Sequence, residues 1–222
     1  MRRSRAARCE FSYTLGMKQP ACDWATAAKH LHAVDAKLRP IIDAHGIPDW
    51  KPTRNPIQSL GRAIVFQQLS GAAAGTIYKR FVALYDNKFP TPAQLLATDE
   101  PILRGCGLSG AKAAALKDLA AHVADQRLQP SKLTHMSDAD VLAALLPVRG
   151  IGPWSVDMFL MFALSRPDVL PVGDLGVRKG MQTLYRLRQL PTPETMIKRA
   201  KPWQPFRSLG SWYMWRVVDN EA

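Results

Sequence analysis

The chemistry this sequence can offer rests on two aspartates, a glycine hairpin and a glutamine pair. Asp174 stands after Pro171-Val-Gly and before the helical run Leu175 to Leu190, so its carboxylate lies at a helix start and projects from a loop end, where catalytic groups are often held. An ionised carboxylate so placed can stabilise a developing positive charge, or orient and deprotonate a water. Position alone suits a plain helix cap as well. Asp157 is the rival, as the one charge between Trp154 and Ser165. Its place in the first turn of that helix suits the helix dipole and reads as structural. Asp168, in Arg166-Pro-Asp, reads as a turn residue.

The elements that must position Asp174 begin upstream. Val141, Leu142, Leu145 and Leu146 fall on one face and end a helix. Pro147 to Pro153 cannot continue it, because its two prolines lack backbone donors and Gly150 and Gly152 permit positive φ. Ser155 to Ser165 is helical again. A Gly-x-Gly hairpin opening a helix presents bare N–H groups with a positive helix end behind them, a seat for a phosphate oxygen. Alone it is weak evidence, since most such hairpins are only tight turns.

The rest of the chain reads as all-α, with no alternating strand pattern and no repeat. Trp24 to Ile42 has apolar residues at helical spacing, and a proline-rich connector follows from Gly46 to Pro56. Gly61 to Tyr85 carries two helical runs separated near Gly71. Thr91-Pro92 and Thr192-Pro193 are caps followed by first-turn prolines. Gly105 to Ser109 breaks the chain before a helix through Leu116 and Val123. Ser137-x-x-Asp140 reads as a capping box.

At 222 residues the chain can form one domain or two closely joined lobes, and an apolar content of 47% excludes a disordered protein. The net charge of +12 calls for an anionic partner, with nucleic acid first and an anionic membrane surface second. No apolar run approaches a membrane span. Three cysteines, at 9, 22 and 106, cannot supply a four-cysteine zinc or iron–sulfur site, and their sparse use suits a reducing compartment. No side-chain cluster has divalent-metal spacing. Residues 1–16 form a basic tail expected to be disordered; Arg2, Arg3, Arg5 and Arg8 lead into no apolar signal segment.

Taken together, Leu146-Pro-x-x-Gly-Ile-Gly-Pro-Trp154, an apolar helix, and Leu170-Pro-Val-Gly-Asp-Leu-Gly-Val-Arg-Lys-Gly180 resemble the helix-hairpin-helix DNA glycosylases. Within that superfamily the chain is similar to the 3-methyladenine DNA glycosylase II (AlkA-like) branch, in a compact form without the N-terminal β-domain. The similarity runs from about Ile57 to Arg216.

The resemblance implies a two-lobed all-α fold: a central lobe of about 57–168, a second lobe of about 17–56 plus 169–222, and the active site in the cleft between. It makes Asp174 the catalytic carboxylate and Val148, Arg149, Gly150, Ile151 and Gly152 the phosphate-gripping hairpin. Phe66-Gln-Gln-Leu-Ser70 matches a second family motif, with Leu69 at the position that plugs the gap left by an extruded nucleotide and Gln68 beside it. Trp154, Trp215 and Phe66 would line the base pocket, although core packing is the commoner fate of such aromatics. Arg178, Lys179, Arg186 and Arg188 would face phosphates or simply solvent. Trp154 stands where bifunctional members carry a nucleophilic lysine, which implies a glycosylase without lyase activity.

The expected partner is double-stranded DNA containing alkylated bases, with the chain acting as a monomer in the bacterial cytoplasm or a nucleus. No cofactor is implied beyond a monovalent cation, Na+ or K+, on the carbonyls of Leu146, Val148 and Ile151. Two other readings stay open: a non-catalytic hairpin module that binds DNA by phosphate alone, and an enzyme for oxidised purines, which the missing lysine disfavours.

Overall fold

A computed structural model describes residues 22–219, so the basic tail of residues 1–16 lies outside the described residues. Every regular element in that range is helical. In order they are α1 (Trp24–Val34), α2 (Arg39–His45), α3 (Pro56–Phe66), α4 (Gly71–Ala83), α5 (Pro92–Ala97), α6 (Glu100–Gly105) and α7 (Gly110–Ala124). Then come α8 (Pro130–Leu133), α9 (Asp138–Leu145), α10 (Pro153–Met158), α11 (Leu175–Tyr185), α12 (Pro193–Ala200) and α13 (Arg207–Asp219). Among the described residues no helix is long and apolar enough to cross a membrane.

Local chemistry explains most boundaries. Asn55, Ser70, Thr91, Ser109, Ser137 and Thr192 each accept a hydrogen bond from a first-turn N–H of the helix that follows. Thr91 and Gln94 close a full capping box, whereas Ser137 makes only its own half, because Asp140 bonds the serine hydroxyl instead.

Three helical readings change. Trp24 to Ile42 is two helices, since Asp35 turns extended and its carboxylate accepts from the Trp203 indole at 3.0 Å and from the Tyr185 hydroxyl. Pro40 then cannot donate into a continuing helix. The run expected to reach Leu190 stops at Tyr185, where Arg186 is left-handed and the Leu187 N–H returns to the Gln182 carbonyl. The helix after the hairpin passes into a π-helical turn, Phe159–Ala163, before Ser165.

The helices bury two hydrophobic cores. The first gathers Leu60, Phe81, Leu116, Val141, Val156 and Leu160 with their neighbours from α3 to the loop after the π turn. The second joins Leu31 and Leu38 to Met181, Trp203 and Tyr213. Trp50 and Trp215 pack against both. Asp168, read as a turn residue, also ties the two together: it accepts from Arg207 Nε at 2.7 Å and Nη2 at 2.9 Å, at the start of α13.

In the second core α11 and α13 approach closely through glycine, at Gly180 against backbone and at Gly176 against a side chain. A Cβ on Gly180 would lie 2.1 Å from the Met214 carbonyl oxygen, and one on Gly176 would lie 2.6 Å from Trp215 Cδ1. Alanine at 180 gains about 1 kcal/mol of helix propensity. The overlap is with backbone, however, and no rotamer relieves it. Gly180→Ala is therefore expected to lower stability by a net of about 1–3 kcal/mol, read by urea unfolding.

Candidate active site

Asp174 ends the turn that follows Pro171, with its N–H on the Pro171 carbonyl at 2.9 Å. It is the N-cap of α11 and is 8% exposed. Its Oδ1 accepts from the Val177 N–H at 2.8 Å and from Trp215 Nε1 at 2.8 Å. Its Oδ2 accepts from Trp154 Nε1 at 2.7 Å. Capping and functional placement are thus compatible, because the cap occupies only Oδ1. A carboxylate has about four lone-pair positions, and three are filled here. The one left over is on Oδ2, beside Trp154.

Trp154 opens α10 and is 44% exposed, so one tryptophan both orients the carboxylate and offers an indole face to solvent. Trp215 is half-buried; its ring stacks on Phe162, with centroids 5.8 Å apart and planes at 27°. Phe162 is itself 42% exposed, and Trp50 meets it edge-on at 5.2 Å. Sequence reasoning passed over Phe162 and Trp50. Nothing in their spacing distinguishes them from core aromatics, and only the π turn and the lobe junction bring Phe162 onto Trp215 and Trp50 onto Phe162. Phe66 stands differently from the two tryptophans, with one face under the Arg62 guanidinium at 4.0 Å and a half-buried ring against Tyr78.

Asp157 also departs from its sequence reading. It is the fifth residue of α10 and not a first-turn acid, so the helix N-terminus does not relieve its charge. Burial, then the charges of Asp174 and Asp138, push its carboxyl up to about 6.

The hairpin between α9 and α10 uses most of its own donors. The Val148 N–H bonds the Leu145 carbonyl, the Ile151 N–H bonds the Val148 carbonyl, both at 3.0 Å, and the Arg149 N–H bonds Asp118 Oδ2 at 2.7 Å. Among the described residues the Gly150 and Gly152 N–H groups have no acceptor, which narrows the five-residue seat to two donors. Gly150 has φ of +78°, and its α-hydrogen side faces Ala115 so closely that a Cβ would sit 3.1 Å from the alanine Cβ. Gly152 is extended, and a Cβ there would meet open space.

Leu69 is 40% exposed at the turn between α3 and α4, so it is not a core residue. Gln68, also exposed, holds φ of +55°, a strained conformation for a residue with a side chain. Of the four basic residues after Asp174, Arg178 donates to the Pro191 carbonyl at 3.2 Å, while Lys179, Arg186 and Arg188 are exposed. Two surface grooves, of about 520 and 450 Å³, open elsewhere on the first core, by Arg104 and Ser109 and by Asn55 and Tyr78. Neither includes Asp174. Among the described residues no group of three or more His, Cys, Asp or Glu side chains is positioned to hold a metal ion.

An all-α fold with two cores, a glycine hairpin between α9 and α10, and a buried carboxylate starting α11 defines a class of protein. Residues 62–205 match the HhH-GPD superfamily base excision DNA repair protein family, and the chain belongs to it. Among its relatives is DNA-3-methyladenine glycosylase 1 of Schizosaccharomyces pombe, 34% identical, the match covering 85% of each chain. The solved structure of the Schizosaccharomyces pombe 3-methyladenine DNA glycosylase (Mag1) with abasic DNA superposes with a TM-score of 0.76 at 32% identity, over 86% of this chain and 95% of that one. A DNA-3-methyladenine glycosidase from Bacillus halodurans superposes with a TM-score of 0.76 at 33% identity, over 90% and 92% of the two chains. The all-α glycosylase fold read from the motifs is borne out.

Asp157 yields a pH prediction. A carboxyl raised to about 6 from an ordinary 3.8 binds its proton more tightly in the folded than in the unfolded chain. Its contribution to stability is therefore present below about pH 4 and is lost as pH rises through about 6. In Asp157→Asn this loss is absent, so the variant's stability relative to wild type is expected to grow by about 1–2 kcal/mol between about pH 4 and pH 7, read by urea unfolding at each pH.

Proposed function

We propose that the protein is a monofunctional DNA glycosylase that extrudes an alkylated purine, of the 3-methyladenine or 7-methylguanine type, from duplex DNA and hydrolyses its N-glycosidic bond. The product is an abasic site, the starting point of base excision repair. The observation that carries this reading is the Asp174 carboxylate, buried where the two cores meet and held by two indole N–H groups with one acceptor position to spare. Its relatives named as 3-methyladenine glycosylases support the substrate class.

The chemistry follows from the alkyl group. Alkylation at N3 or N7 makes the purine cationic, so the C1′–N9 bond can break with its electron pair leaving on the base and neutralising it. No separate general acid is required. The sugar left behind is oxocarbenium-like, and a fixed carboxylate stabilises that charge. The free position on Oδ2 serves a water, which adds to C1′ and gives up a proton. The exposed face of Trp154 meets the cationic base with a cation–π attraction of about 0.5–2 kcal/mol.

Leu69, with Gln68, fills the hole in the stack, and the Gly150 and Gly152 amides take a phosphate oxygen. The lobes that grip the duplex are about 57–168 and 17–56 plus 169–222. The chain works as a monomer. A monovalent cation fits the hairpin carbonyls, since those of Leu146 and Ile151 accept no hydrogen bond among the described residues and that of Val148 accepts one. Such an ion would supply positive charge toward the phosphate. The alternative, a binding module without chemistry, has no use for a carboxylate held between two tryptophans.

Asp174→Asn keeps the shape but loses the charge. It also turns an amide N–H toward one indole, at small cost because exposed Trp154 can bond water. The variant is expected to stay folded and bind DNA while base release from methylated duplex falls by about 10²-fold or more; activity within about threefold of wild type would sink the assignment.

With Trp154 where a Schiff-base lysine would stand, product DNA is expected to carry intact abasic sites until alkali is added. Borohydride is expected to trap no enzyme–DNA adduct. A trapped adduct would assign lyase chemistry to another amine, such as exposed Lys179.

A further inference from the structure

The turn joining α3 to α4 is fastened to two other parts of the site by side chains to which the reading above gives no role in the hydrolysis. The Gln67 side-chain amide donates to the Gly150 carbonyl at 2.9 Å and to Ser155 Oγ at 3.1 Å. The first of these is the tip of the hairpin, and the second is the residue after Trp154. From the other side, the Lys112 ammonium donates to the carbonyls of Val65 and of Gln67 itself, at 2.7 and 2.8 Å. Lys112 is half-buried and enters none of the ion pairs among the described residues. A partly desolvated ammonium held only by neutral carbonyls is an expensive way to make a turn, because burial disfavours the charged form.

Lys112 belongs to a stripe. Lys112, Ala115 and Asp118 recur every three residues on one face of α7. Lys112 holds the turn, Ala115 lies under Gly150, and Asp118 takes the Arg149 N–H. The 150–151 peptide is thereby pinned at both ends, its carbonyl by Gln67 and its N–H by the Val148 carbonyl. The strained Gln68 and exposed Leu69 follow Gln67 directly.

We propose that Gln67 and Lys112 are positioning residues that hold the inserting turn in fixed register with the phosphate-binding hairpin and the Trp154 helix, so that plugging the stack and seating the extruded base occur together. This rests on the glycosylase reading above. Neither residue is among those assigned above to the base or the sugar. Their removal should raise the barrier to extrusion and leave the hydrolytic step alone.

The test uses two duplexes, one with 7-methylguanine opposite cytosine and one with 7-methylguanine opposite a tetrahydrofuran abasic analogue. The unpaired lesion leaves the stack at lower cost, so its release depends less on the plug. Single-turnover base release is measured for Gln67→Ala and for Lys112→Met, which keeps the stem and loses the ammonium. For each variant, release from the paired lesion is expected to slow at least about threefold more than release from the unpaired one. Affinity for undamaged duplex is expected to stay within about threefold of wild type, because the Gly150 and Gly152 donors are untouched.

A smaller difference between the two duplexes, whether both slow equally or neither slows, overturns the proposal and leaves Gln67 as ordinary packing. Either variant alone decides the matter if the other fails to fold. Failure of the underlying reading has a different signature: the wild-type protein itself would release base from neither duplex.

Discussion

Three N–H groups from three separate elements end on the two oxygens of Asp174, and the geometry of the site depends on that convergence. Val177 is on the helix that Asp174 caps, Trp154 on α10 beside the hairpin, and Trp215 on α13. Trp154 enters from the first core's side and α11 and α13 from the second, so the carboxylate is fixed only when the lobes are docked. A buried carboxylate needs such partners to stay in place, and their directions leave it one usable acceptor position. The close glycine contacts between α11 and α13 serve the same end, since a methyl group at Gly176 would stand where the Trp215 indole lies.

The first core plays a complementary part, through α7. One helical face supplies an ammonium for the turn between α3 and α4, a small side chain under the hairpin and a carboxylate for the hairpin's Arg149 amide. The same Asp118 is bonded to buried His122, whose Nε2 meets Arg127 at 2.8 Å, so the support continues toward the C-terminal end of α7. Phosphate contacts carry no sequence information, but they fix where the duplex sits. Under the proposed roles of hairpin and turn, rigid spacing between grip and plug couples duplex binding to the unstacking of a nucleotide.

The site also carries an electrostatic cost. Asp157 is buried near Asp174 and Asp138 with no helix N-terminus to relieve it, and burial first, then those two charges, raise its carboxyl. Concentrating negative charge beside a site for a cationic base is coherent with the proposed substrate, since the base and the sugar cation both bring the compensating charge. The wider surface has the opposite sign, and the net +12 of the chain favours approach to DNA as a whole.

Read without a structure, the chain discloses its helices, its caps, its hairpin and the place of Asp174 at a helix start, because those depend on residues close in sequence. Prolines and glycines stop helices locally, and Ser, Thr, Asn and Asp cap them locally. The motif around Gly150 and Asp174 also carries the family, which the comparison over residues 62–205 bears out. What stayed hidden are pairings between residues far apart along the chain. Trp215 reaches Asp174 across 41 positions, and Gln67 reaches Gly150 across 83. No periodicity predicts that one half-buried glutamine faces a carbonyl while its neighbour stands in solvent. Asp157 departs from its local reading for the same reason, because its carboxyl is governed by burial, then by Asp174 and Asp138, and not by its own helix. Local sequence sets which backbone groups need partners, and only the docking of two cores decides which side chains arrive to meet them.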